Sequence, residues 1–306
     1  MKNKSSVVNQ QISRRKILKL ATGGLLGIPL LGLIGCQSLR SGMPPPPPHG
    51  FDGAFPKGGP GMPAPHGKGG KPPIRKPVVG KATDKARWAT GGTHAMDKTI
   101  LYQNPLLKDD LGSICQVTNR TTEGPCYSST RVRQDISEGR EGLPVRLWFK
   151  IVDVNCHPIQ GVKVDIWHCD PFGIYSGKDM EMVDFCTNSD KEYQSNDWFR
   201  GIQTTDENGL VYFETCFPGW YVSRAVHIHL SISKGSDTLT TQVGFDDDLA
   251  DSILLNEAVY SGHGKPDTNN SSDTVFPNVG YEAFLMQTKA LVDNSMLAWK
   301  ALSVDF

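Results

Sequence analysis

Residues 218–233 read PGWYVSRAVHIHLSIS, and the second half of that stretch decides the fold. Val226, Ile228, Leu230 and Ile232 alternate there with His227, His229, Ser231 and Ser233. Successive side chains of a strand point to opposite faces, so strict alternation predicts a half-buried strand. Its apolar set faces a core, and both imidazoles project from the other face, side by side. Two neutral imidazoles on a rigid strand make much of a metal site at little ordering cost. The same pattern also suits polar residues on a wet strand face. Tyr221 and Arg224 lie just upstream.

The pattern extends in both directions. VRLWFKIVD (145–153), GVKVDIW (161–167), LVYFET (210–215) and TLTTQVGF (238–245) alternate in the same way. Turn-forming clusters at 155–158, 206–209 and 234–237 separate them. Short strands with Gly, Asn and Asp punctuation predict a mainly β domain, an antiparallel β-sandwich with few short helices. Residues 247–259 have helical composition. Residues 281–306 read either way, with a hairpin turn available at Asp293, Asn294 and Ser295.

The chain has 306 residues, with 32 Lys plus Arg against 32 Asp plus Glu. Net charge is therefore zero, which argues against nucleic acid or an electrostatic membrane patch as partner. Residues 1–35 read as an address. SRRKILK (13–19) is a twin-arginine export pattern, and an apolar run (20–35) then leads into Cys36. LIGC (33–36) reads as a lipobox that makes Cys36 a lipidation site, with an uncleaved anchor as the alternative. Both readings place the rest outside the cytoplasm, in the bacterial cell envelope, periplasmic or outer surface. Residues 36–90 are rich in Gly, Pro and Lys, with Pro44 to Pro48 unbroken. Such a segment buries too little apolar surface to offset its ordering entropy and is expected to be a disordered tether. Residues 91–306 are expected to be the folded domain.

Six cysteines follow Cys36: Cys115, Cys126, Cys156, Cys169, Cys186 and Cys216. An even number in an oxidising compartment allows up to three disulfides among about fifteen pairings. Several could instead be buried thiols. No CxxC spacing exists, which argues against a zinc–thiolate site.

Three motifs in order, TEGPCY (122–127), DIWHCDPFGIYSG (165–177) and PGWYVSRAVHIH (218–229), resemble the intradiol ring-cleavage dioxygenases, and a short exported branch of that family most of all. The resemblance covers roughly residues 121–245. It implies a non-haem Fe(III) cofactor held by Tyr175, Tyr221, His227 and His229. Two hard phenolates favour a trivalent iron, and the bound cation lowers the phenol pKa from about 10. The family mechanism implies that a catechol binds as a dianion and that Tyr221 leaves the metal to take a substrate proton. O2 then breaks the bond between the hydroxyl-bearing carbons, giving a muconate-type diacid. Arg224 is expected to stabilise negative charge on the ring, and Gln242 to occupy the place of an active-site glutamine.

The chain also departs from the family. An export signal and tether stand where catechol dioxygenases carry a helical dimerisation region. Only five residues, 222–226, separate Tyr221 from His227, fewer than is usual, and Cys126 replaces a common aromatic. Two rivals are weaker. A cupin-type site would need a Glu three or four residues after His229, where Ile232 and Ser233 stand. A catalytically inactive, lipid-anchored binding module would have lost a ligand, and none is lost.

Overall fold

The computed structural model describes residues 77–107 and 116–306. The expected export signal, Cys36, Cys115 and most of the expected tether lie outside these residues. Among them no helix is long and apolar enough to cross a membrane.

The alternating stretches form strands as expected. β1 (Pro144–Val152), β2 (Lys163–Trp167), β4 (Leu210–Cys216), β5 (His227–Lys234) and β6 (Asp237–Gly244) match them within two residues at each end. β3 (Arg200–Thr204) was not expected; RGIQT has little apolar content and no alternation to read. β7 (Gln287–Ala290) and β8 (Met296–Ser303) complete two four-stranded sheets, in the orders β4-β1-β8-β7 and β3-β2-β5-β6. Leu147, Phe149, Phe213 and Ala298 from the first sheet meet Val164, Ile166, Ile228, Leu230 and Val243 from the second in one core. The fold is thus a mainly β sandwich with few short helices. One pairing is not antiparallel. β8 returns to β1 from the far end of the chain and runs parallel to it, Trp148 opposite Trp299.

The ambiguous C-terminal stretch is a hairpin, and the turn lies where Asp293, Asn294 and Ser295 suggested. Asn294 takes a left-handed conformation (φ 57°), which Asn tolerates better than most residues. Asp293 Oδ1 accepts from the Ser295 amide (3.0 Å) and hydroxyl (2.6 Å). Its Oδ2 accepts from the Asp97 amide (3.1 Å) and pairs with Arg146 (3.0 Å). The expected helix at 247–259 is broken in two, α3 (Asp247–Asn256) and α4 (Ala258–Ser261). Asp246 caps α3 by accepting from the Leu249 amide, and Ala250, Ile253 and Leu254 form its buried stripe. The break falls at Glu257, whose buried carboxylate accepts from the amides of Arg87 and Trp88. Further backbone bonds, Gly80 to Ala258 and Thr83 to Asn256, tie residues 80–88 to the domain. The docked segment therefore starts upstream of position 91.

The second sheet departs most from the half-buried strand. His227 and His229 are only 3% and 2% exposed. Residues 119–128 run along the β6 edge (Thr121 amide to Thr240 carbonyl, 2.9 Å) and then fold over the outer face. Of the six cysteines, Cys126 and Cys186 are bonded to each other, and Cys156 is also in a disulfide. Cys169 and Cys216 are buried thiols, so three disulfides do not form.

Burial, which alone would raise the Asp293 pKa, is outweighed by its hydrogen bonds from Ser295, Asp97 and Arg146, which hold it below the usual carboxylate range. A depressed carboxylate stabilises the fold above its unfolded pKa of about 4, and that stability is lost as pH falls through the folded value. Asp293→Ala should lower stability by about 3 kcal/mol near neutral pH, the scale for removing one partner of a buried ion pair. Thermal melts at falling pH should show the gap from wild type narrowing below about pH 4.

Candidate metal centre

β5 lies between β2 and β6, and both neighbours contribute to the site. Opposite His229 stand Trp167 on one side and Gln242 on the other. The Trp167 indole stacks on the His229 ring, centroids 4.9 Å apart and planes 14° apart. Cross-strand pairing thus fixes one imidazole from both flanks.

Tyr175 and Tyr221 come from two loops, one after β2 and one after β4, which interlock. Gly173 approaches so closely that a Cβ there would lie 2.0 Å from the Trp220 carbonyl oxygen, and its φ of +77° disfavours any side chain. A Cβ at Gly219 would lie 2.4 Å from the Pro171 carbonyl oxygen. Asp170 fastens both loops. Its carbonyl accepts from the Gly173 and Gly219 amides, each at 3.0 Å. Its carboxylate accepts from the Phe172 and Ile174 amides, each at 2.9 Å, and from the Tyr193 hydroxyl. The tyrosine rings then meet edge to face, 5.7 Å apart.

Four donor atoms converge. His227 Nε2 lies 3.1 Å from His229 Nε2, 3.2 Å from Tyr221 Oη and 3.5 Å from Tyr175 Oη. His227 Nδ1 donates to the Ala225 carbonyl at 2.7 Å, which leaves its Nε2 lone pair facing the other donors. His229 Nδ1 is buried without a hydrogen-bond partner. Among the described residues no group of three or more His, Cys, Asp or Glu side chains is placed to hold a metal. The phenols therefore have to supply the other half of any donor set.

Electrostatics make this centre neutral at rest. Burial, then the nearby Arg224, lowers the His227 pKa to about 3. Burial, then His227, holds His229 well below its ordinary value. Burial pushes Tyr175 well above 10 and raises Tyr221, against the pull of Arg224. Two neutral imidazoles and two protonated phenols surround one point. That donor set fits a hard, highly charged cation, which alone would ionise both phenols there.

Arg224 sits beside the donors. Its Nη1 is 3.3 Å from His227 Nε2 and 3.4 Å from Tyr221 Oη, and its Nη2 donates to Gln242. Gln242, only 1% exposed, donates in turn to the Thr122 carbonyl at 2.9 Å. The sequence singled out all of these. It did not single out Asp273, whose buried carboxylate pairs with Arg224 Nε (3.0 Å) and accepts from the Ala225 amide (2.7 Å). Inside SSDTVF an aspartate reads as a turn residue, and nothing there signals burial. Trp167 was also missed as a site residue; its register against His229 was the available signal. The opening above the tyrosines is lined by Cys126, Gly173, Ile174, Phe185, Cys186 and Asn188.

A family model described as "Dioxygenase" matches residues 122–285, more than half of the chain. Catechol 1,2-dioxygenase of Acinetobacter baylyi is 30% identical over 151 aligned positions, covering 41% of this chain and 45% of that protein. Catechol 1,2-dioxygenase of a Pseudomonas species is 28% identical, covering 43% and 48%. The chain thus spans about half the length of the curated relatives it matches. An intradiol ring-cleavage dioxygenase from Tetranychus urticae has a similar structure, with a TM-score of 0.55 and 29% identity, over 62% of this chain and 95% of that one. A second solved dioxygenase gives 0.54 and 28% over the same shares. With its sandwich fold and the family model's match to the segment bearing Tyr175, Tyr221, His227 and His229, this chain belongs to the intradiol ring-cleavage dioxygenase family.

Proposed function

We propose that the protein is a non-haem Fe(III) dioxygenase that cleaves catechol-type aromatic diols between their two hydroxyl-bearing carbons, giving muconate-type diacids. The observation that carries this reading is the convergence of two phenols and two imidazoles on one buried point. Tyr175, Tyr221, His227 and His229 would hold the iron. Bound there, a ferric ion supplies a chelating centre for both diol oxygens and makes the ring reactive toward O2. A degenerate binding module would lack one of the four donors.

The remaining work falls to the chain. Tyr175 is fully buried, whereas Tyr221 is partly exposed at the opening. Tyr221 is therefore the phenol free to move, and its oxygen is the acceptor for a substrate proton. Arg224 reaches that same oxygen and is the cation that stabilises negative charge on the ring. Asp273 and Gln242 hold the guanidinium from two sides. Trp167 keeps His229 from rotating.

Among the described residues no Lys, Arg or His lines the opening, and the two buried cations beside it are already engaged, Arg224 with Asp273 and Arg200 with the carbonyls of Cys126 and Ser176. A ring substituent bearing a carboxylate would be desolvated there without a counter-charge. The substrate class is therefore catechols with uncharged substituents. The export pattern and Cys36 support an exported protein anchored to a membrane by lipid, acting on diols outside the cytoplasm.

The primary test is the visible spectrum of the iron-loaded protein, before and after anaerobic addition of catechol. A red-brown tyrosinate-to-iron band that shifts with catechol is expected; an iron-replete but colourless sample would overturn the reading. Iron uptake must release protons from Tyr175 and Tyr221, because burial keeps both protonated at neutral pH. His227 adds none, being neutral down to about pH 3. Apparent iron affinity should therefore rise with pH between about 6 and 8, by roughly tenfold per unit for each proton released, with proton release counted by pH-stat titration. Asp273→Asn should keep iron yet lower kcat/KM for catechol about 100-fold in steady-state assays, since it frees the guanidinium. The kcat/KM for 4-methylcatechol should exceed that for 3,4-dihydroxybenzoate by at least about tenfold.

A further inference from the structure

The Cys126–Cys186 disulfide lies in the wall of the candidate site rather than at the periphery of the domain. Both cysteines line the opening above Tyr175 and Tyr221, and both are buried in one cluster with Trp167, Tyr175 and Met180. The bond joins two pieces of chain that touch different donors.

Cys126 belongs to the segment that covers β5. In that segment Gly124 faces the second imidazole so closely that a Cβ would lie 3.3 Å from His229 Cε1. The Thr122 carbonyl holds Gln242, and the Tyr127 ring meets Trp167 edge to face at 4.9 Å. Cys186 closes α1 (Val183–Cys186), and its carbonyl accepts from the Tyr175 amide at 2.8 Å. A single four-residue turn is far too short to be stable by itself. The backbone seat of Tyr175 therefore depends on something outside α1. Toward the covering segment α1 has the disulfide and the Met182 amide on the Pro125 carbonyl (3.4 Å), while Arg200 reaches the Cys126 carbonyl (2.6 Å) and the Ser176 carbonyl (2.5 Å).

We propose that the Cys126–Cys186 disulfide is a positioning element of the metal centre: it clamps the covering segment onto His229 and fixes the seat of Tyr175, so that the site closes only in the oxidised chain. The role assigned to the donors rests on the dioxygenase reading, but the clamp itself does not. Closure is a two-electron oxidation. Two thiols form the S–S bond, and the two electrons and two protons pass to a disulfide-bonded oxidant that leaves as a dithiol. A chain exported already folded would thus complete its site after leaving the reducing cytoplasm.

The test compares three full-length proteins: wild type, Cys126→Ser/Cys186→Ser, and Cys156→Ser, which breaks the other disulfide. Losing either disulfide should lower Tm. Only the double variant should speed amide hydrogen exchange locally, at Tyr175 and through residues 122–127, by at least about tenfold in the metal-free protein. Its iron stoichiometry should fall in parallel, while that of Cys156→Ser stays at the wild-type level. If exchange at Tyr175 and 122–127 changes no more than in Cys156→Ser, the bond is a general staple and the proposal fails. Should the double variant not fold, wild type reduced by dithiothreitol below its Tm replaces it, with the same two outcomes. Because exchange is read without iron or substrate, a wild type that is colourless with iron would sink the dioxygenase reading and leave this result standing.

Discussion

The pairing of β5 between β2 and β6 is the constraint on which the site depends. A strand bonded on both sides cannot slip by one residue without turning every side chain to the opposite face. Here a slip would drive Ile228 and Leu230 out of the core and both histidines into it. The apolar half of the strand therefore enforces the direction of the imidazoles. The same register sets Trp167 and Gln242 on either flank of His229, so packing energy from the sandwich is converted into the geometry of the donors.

Burial then sets the chemistry. A solvated His pair would titrate near neutral pH, and solvated tyrosines would be ordinary phenols. The covering segment removes water, so both imidazoles stay neutral and both phenols stay protonated. Two protons would leave as a trivalent cation entered, so the donor set would then carry one net positive charge and favour an anionic ligand. The low dielectric that keeps the imidazoles neutral would also strengthen the field of Arg224, held in place by Asp273.

Much of this was legible because it is written in local pattern. Alternation exposed five strands and the sandwich, and the ordered Tyr, Tyr and His-x-His motifs singled out the four side chains that the fold brings together. What was hidden depends on contacts distant in sequence. β3 has no apolar alternation and is a strand only because β2 pairs with it. The helix at 247–259 breaks because Glu257 is recruited by amides about 170 residues upstream. Asp273 meets Arg224 only where the chain folds back on it, nearly 50 residues away. The wet outer face expected for β5 is dry because residues 119–128 cross it, and no periodicity reports such a crossing. The choice among cysteine pairings was closed to the sequence for the same reason.

The interlocked loops at Gly173 and Gly219 also govern how such a site could diversify. Each glycine leaves room for a carbonyl of the other loop, so neither loop can be lengthened or reshaped alone. A change in one requires a matched change in its neighbour, a double step that random mutation rarely finds. Diversification of such a site should therefore leave the two tyrosine loops at fixed length, whatever changes around them.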